Sequence, residues 1–165
     1  MITGRFDKTN YIEEALIDKV TLWMLRLILY REKDINSRSF EGDTALFLGL
    51  DKYNDKDFDR DKVIESMKER LHMLESQEAI SSSKTLSSNL NKLSNMMGLN
   101  RHEKNILEFA IILDECQLLE EIVDFGYHPK FRQLCKKISN ILDIPFAEVV
   151  IVTTQSDSRL KEAVL

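Results

Sequence analysis

Several side chains in this sequence have the type and spacing that could do chemistry. In Phe109-Ala110-Ile111-Ile112-Leu113-Asp114-Glu115 an apolar run ends on two acids, which is how a strand holding a nucleotide's magnesium ion ends. Such a strand works beside a glycine-rich phosphate loop of the form G-x-x-x-x-G-K-[ST], and the sequence contains none. Gly42 and Gly49 bracket DTALFL, but no Lys and Ser/Thr follow the second glycine. Residues 109–113 also continue a helical pattern that opens at Asn100. The segment therefore reads as a buried helix, with Asp114 and Glu115 marking where it meets water.

His102-Glu103 begins like a zinc-protease signature, but H-E-x-x-H needs His at position 106, where Ile106 stands. Glu69-Arg70-Leu71-His72 is half of a di-iron bundle motif. That chemistry needs a second E-x-x-H and two more glutamates on facing helices, so a solvated Glu69 and a half-buried His72 are expected. Asp55, Asp57, Asp59 and Asp61 have the spacing of calcium-loop ligands. Arg60 and Ser66, however, stand where such a loop needs its glycine turn and its closing glutamate. No Ser-His-Asp order with an elbow motif accompanies them. No catalytic residue, cofactor site or metal site is assigned, and the chain is expected not to be an enzyme.

One basic cluster remains. Residues 129–153 fit two short helices around Leu142-Asp143-Ile144-Pro145, a helix-turn-helix with the C-terminal tail as a wing. Lys130, Arg132, Lys136 and Lys137 give the first helix a basic side. The second helix, which in a reader of base edges carries Arg, Lys, Asn or Gln, begins Phe146-Ala147-Glu148-Val149-Val150. The four cations are thus a solvated face opposite an apolar stripe, and the candidate contacts for an acidic protein partner. Nucleic-acid binding through residues 130–137 is the alternative.

The elements that must position these residues are helical. Asn10 with Glu13 forms a capping pair for a first helix running to about Lys33, whose run from Thr21 to Tyr30 is apolar almost all round. A short helix from Thr44 to Leu48, capped by Asp43, stops at Gly49. Val63, Ile64, Met67, Leu71 and Leu74 share one face of a helix ending near Gln77. Leu86, Leu90, Leu93 and Met97 line the next, which Gly98 ends in a left-handed conformation. Asn100 and Glu103 cap a helix expected to continue through Val123 to Gly126. Pro129 suits the first position of the helix carrying Phe131, Leu134, Cys135, Ile138, Ile141 and Leu142. Pro145 opens a short helix from Phe146 to about Thr153, with strand as its rival because residues 149–154 are β-branched. Asp157 to Leu165 is expected as a short strand or tail. Ser81-Ser82-Ser83 marks a boundary between helical subdomains 1–80 and 84–165.

Composition sets the frame. The 165 residues are 43% hydrophobic and 31% charged, with only five Gly and two Pro, so long helices around a proper core are expected. A net charge of −5 disfavours wholesale binding to phosphate backbones or anionic lipid. Cys116 and Cys135 lie in apolar helical patterns and read as buried thiols of a reducing, cytoplasmic compartment. The run from Thr21 to Tyr30 is half of the ~20 residues that span a bilayer, and the start MITGRFDKTN has no apolar signal segment.

The C-terminal half resembles the N-terminal helical region of a group of bacterial AAA+ ATPases, in which a helical domain precedes the ATPase module. The residues carrying it are Gly98-Leu99, Glu103, Ile106-Leu107 and Phe109-Ala110, then Leu119 to Gly126. Leu142-Asp143-Ile144-Pro145-Phe146-Ala147-Glu148-Val149 follows, then Asp157-Ser158-Arg159-Leu160 leading to Val164-Leu165. Val150-Ile151-Val152 and Ala163 depart from the pattern. The resemblance implies an all-α domain whose end is winged-helix-like. Its role would be non-catalytic, binding a protein client or a neighbouring subunit for an ATP-driven motor that lies C-terminal to it. ATP and magnesium would belong to that motor and to no residue here.

Overall fold

A helix that is apolar nearly all round needs neighbours on several sides, and α1 (Ile17–Tyr30) has them. The computed structural model describes residues 7–35, 42–50, 53, 58–78, 80, 82–123 and 130–163, without the side chains of 155–163. Among these, α1 packs against α3 (Arg60–Glu75), α6 (Gln117–Val123) and α7 (Phe131–Leu142). The remaining α-helices are α2 (Asp43–Leu48), α4 (Lys84–Met97), α5 (Arg101–Glu115) and α8 (Phe146–Ala163). No strand occurs among the described residues, so the fold is all-α. Arg26, the one charge within residues 21–30, sends its guanidinium out to Glu75 at 3.0 Å and to the Ile141 carbonyl at 3.1 Å.

Three caps are those the residue types dictate, whereas α1, α2 and α7 have no side-chain cap and Asp43, expected to cap α2, is its first residue after Gly42. Asn100 accepts from the backbone N–H groups of His102 and Glu103, and Glu103 accepts from that of Asn100, a complete capping box. Ser83 caps α4 and Asp59 caps α3. Gly49 and Gly98 end α2 and α4 with φ of 68° and 66°, where a Cβ is unfavourable.

Three elements and one side chain also differ from the sequence reading. The first helix begins at Ile17, because Glu13 is extended and two 3-10 turns, Lys8–Asn10 and Glu14–Leu16, bring Ile12 and Leu16 into the core. Asp7 caps the first of these turns, and neither Asn10 nor any other side chain caps α1. The helix from Asn100 breaks at Cys116, which is buried and extended. In an unbroken helix Leu118 would lie about 240° round from Ile112, facing water. The break lets Leu118 and Leu119 both reach the core.

Residues 146–163 form one helix, including the stretch from Asp157 expected as strand or tail. Thr153 and Thr154 return their hydroxyls to the carbonyls of Val149 (2.7 Å) and Val150 (2.8 Å). Val149 and Val152, three apart, are buried, so packing outweighs β-propensity. Lastly, His72 is exposed rather than half-buried, since α3 turns Leu74 inward and His72 away.

The serine run joins α3 to α4. One continuous buried cluster extends across it, from Ile12 to Val149, and Ser82 donates to Glu108 of α5 at 3.0 Å. Ser81, Gly126, Pro129, Asp55, Asp57, Val164 and Leu165 lie outside the described residues.

Candidate docking surface

Helices α7 and α8 meet through the turn at Asp143, which takes a left-handed conformation with φ 52°, followed by Ile144 and Pro145. Ser139 closes the turn by donating to the Ile144 carbonyl at 2.7 Å. Cys135, Ile138 and Ile141 of α7 and Val149 of α8 are buried, which fixes what each helix shows to solvent.

The four cations singled out in the sequence do not share one role. Lys130, Arg132 and Lys136 are exposed, and Arg132 and Lys136, four residues apart, lie on one side of α7. The Arg132 guanidinium stands 5.7 Å from the ring centre of Phe146, which sets a cation beside the start of α8. Lys137 is different. It is half-buried and donates to the Val123 carbonyl at 3.0 Å, closing the C-terminus of α6, where a cation is favoured by the helix dipole.

The same device recurs. Arg70 donates to the Leu48 carbonyl at the end of α2, Arg26 to that of Ile141 near the end of α7, and Arg60 to that of Glu32 at 2.7 Å. Burial lowers the Arg70 pKa below its ordinary value and Asp18 opposes this. These cations hold the fold together.

The outward face of α8 carries Ala147, Ile151 and Thr154. Ile151 is 44% exposed, and Phe131, at the start of α7, is 48% exposed. The exposed side of α8 is therefore apolar at Ala147 and Ile151, with Arg132 beside Phe146 at the start of the helix. Its chemistry suits a protein face with apolar side chains and carboxylates. It offers base edges no side-chain donor along Ala147 and Ile151.

The other candidate residues stay apart. Asp114 and Glu115 are exposed at the end of α5, beyond buried Phe109 and Ile112. Glu69 and His72 are exposed on α3. Among the described residues no three His, Cys, Asp or Glu side chains gather in a metal-holding group. Cys116 and Cys135 are free and buried, and burial raises the Cys116 pKa. Cys135 Sγ lies 3.7 Å from the Thr153 hydroxyl.

Sequence reasoning missed a groove between α1, α2 and α6. A cleft of 260 Å³ has Leu27, Ile28, Ile35 and Ile122 as its floor, with Arg31, Asp34 and Glu121 at its edge. It shares Thr44 and Glu121 with a second cleft lined by Tyr11, Asp43, Gln117 and Leu118. Tyr11 donates its hydroxyl to Asp43, which raises the Tyr11 pKa, and Gln117 donates to Glu121 at 2.9 Å. No local motif signals this site, because it exists only through the break at Cys116 that seats α6 against α1.

No protein-family model matches the chain, and no curated protein or solved structure matches it significantly. Among the described residues no helix is long and apolar enough to cross a membrane.

Proposed function

We propose that the chain is a non-catalytic recognition and assembly domain of the kind that precedes the ATPase module in bacterial AAA+ ATPases. It binds a protein client or a neighbouring subunit and acts for a motor lying C-terminal to it. The observation that carries this reading is the exposed apolar strip of α8, Ala147 and Ile151, with Arg132 beside Phe146 at the start of the helix. The capping box at Asn100 and Glu103 and the turn after Leu142 also support it, being the local signals within the segments that resemble that family. Such a domain contributes differential affinity between motor states and no bond chemistry. A cytoplasmic location belongs to the same proposal and is supported by the two free, buried thiols.

The winged-helix-like reading is also part of the proposal. Helices α7 and α8 with their short turn supply its helix-turn-helix, and α8 runs on through the residues that a wing would occupy. The rival, a nucleic-acid module on residues 130–137, draws on exposed Lys130, Arg132 and Lys136.

Two measurements test the proposal. The gene downstream of Leu165 should encode a phosphate loop about a hundred residues on. Fluorescence anisotropy with labelled duplex DNA should show no binding at physiological salt. Duplex binding that weakens steeply with salt and is lost in Lys130→Ala/Lys136→Ala would favour the rival.

A further inference from the structure

Of the helices α1 to α7, α4 has the fewest buried residues. It packs chiefly on α5, and of its apolar stripe only Leu90 is buried. Leu93 is 37%, Met97 58% and Met96 83% exposed. Because Ser83 caps its start and Gly98 its end, the helix is completed locally while its outer side stays bare. Residues 79–102 contain no Asp or Glu, although the chain carries 28 of them, and they include Lys84, Lys92 and Arg101. Lys92 lies one turn from Met96, on the same side. The end of α4 is thus an apolar, methionine-tipped knob with Lys92 and Arg101 near it, while the carboxylate that follows, Glu103, is held on the Asn100 backbone N–H. Methionine is unbranched and flexible, and adapts to irregular gaps.

The complementary surface is on the same chain, built from other elements. The groove between α1 and α6 has an apolar floor that includes Ile35 and Ile122, with the carboxylates of Asp34 and Glu121 and one cation, Arg31, at its edge. Asp114, Glu115 and Glu120, at the α5–α6 corner beside it, are exposed, and none pairs with a described cation. Asp114 and Glu115 moreover sit in the last turn of α5, which has no basic residue; carboxylates are disfavoured at that helix end and a cation from outside would relieve them.

We infer that the occupant of the α4 knob is a second copy of this chain, whose α1–α6 groove takes Met96 and Met97 while its acidic corner meets Lys92 and Arg101. Knob and groove share no residue, so the contact either closes reciprocally into a two-fold dimer or runs head-to-tail into rings or open chains. A symmetric pairing of α4 with α4 would instead set Lys92 and Arg101 against their own copies. The inference does not depend on the α8 strip.

Sedimentation velocity of the full chain across a concentration series tests it. At low ionic strength the mass should rise above the 19.2 kDa of one chain, and added salt should reverse the rise. Met96→Glu/Met97→Glu and Glu115→Lys/Glu121→Lys should each remain monomeric with unchanged helical circular dichroism, all four positions being exposed. Mixed together, these two variants should form a 1:1 dimer and grow no further, since one retains only the groove and the other only the knob. Ile151→Glu should associate like the parent chain.

A chain that stays monomeric at every concentration and salt overturns the inference. So does a dimer that survives Glu115→Lys/Glu121→Lys, which would take the acidic corner out of the contact. Binding of the monomer to phosphatidylserine vesicles through Met96 and Met97, without self-association, would overturn it as well.

Discussion

Removing the Lys137 ammonium should loosen the end of α6. Its bond to the Val123 carbonyl is a charge-assisted contact at a half-buried position, so Lys137→Met should cost about 1.5 kcal/mol in chemical denaturation. Lys136→Ala, one residue away on the exposed side, should stay within about 0.5 kcal/mol of the parent. In the sequence the two lysines are indistinguishable, adjacent and both off the apolar stripe. What separates them is the arrival of the α6 C-terminus, a tertiary event that no helical period encodes. Buried cysteines are easier to read, because an apolar neighbourhood is itself local. Burial raises the Cys116 pKa and so keeps it a thiol. A disulfide reagent should therefore label neither cysteine in the native protein and both in denaturant, and rapid labelling of native Cys116 would contradict its burial.

At the scale of elements, starts and stops with a local chemical cause were legible. Asn100 with Glu103, Gly49 and Gly98 all act where their residue types place them. Gly98→Ala should cost about 1 kcal/mol through backbone strain alone, since no atom lies within 4 Å of the added Cβ. Elements that depend on contact with another element were not legible. The break at Cys116 places Leu118 in the core, where one continuous helix would turn it outward, and the late start of α1 comes from two 3-10 turns that no residue type announces. The union of α1 with α5 is of this kind too. Lys19 and Glu108 meet at 2.6 Å with side chains only 15% and 14% accessible, so Glu108→Ala, which leaves Lys19 uncompensated, should cost about 3 kcal/mol of unfolding free energy in chemical denaturation. Lys19→Met/Glu108→Leu should recover most of that loss, because an apolar pair needs no desolvation of charge.

The α3 cap adds a pH dependence. The Lys62 side chain, and then its backbone N–H, hold the Asp59 carboxyl below its ordinary value of 3.8. The folded pKa lies under the unfolded one, so the cap's contribution is whole above 3.8 and disappears as pH falls through the folded pKa. Asp59→Ala should accordingly destabilise the chain at neutral pH and match it in strong acid, and a difference unchanged across that range would assign the effect to something other than the carboxylate.

For the whole molecule the decisive helix is α1. It belongs to the first eighty residues, yet it packs on α6 and α7 as well as on α3, and Trp23 stands edge-on to Phe109 of α5 with ring centres 5.3 Å apart. A boundary at the serine run is a reasonable reading of composition, because serine clusters favour loops. Composition does not register which side of such a loop supplies the core. Since one buried cluster extends from Ile12 to Val149, cooperative unfolding should involve both halves at once. Trp23, the only tryptophan, reports its docking against α5 by fluorescence, while far-ultraviolet circular dichroism reports all the helices together. The two signals should fall in one transition with the same midpoint. A fragment of residues 84–165, deprived of α1, would leave buried Leu119, Val123 and Ile141 facing water and should show neither a cooperative transition nor native helix content. Two separate midpoints, with residues 84–165 folding alone, would mean that α1 rests on a preformed second half instead of completing it.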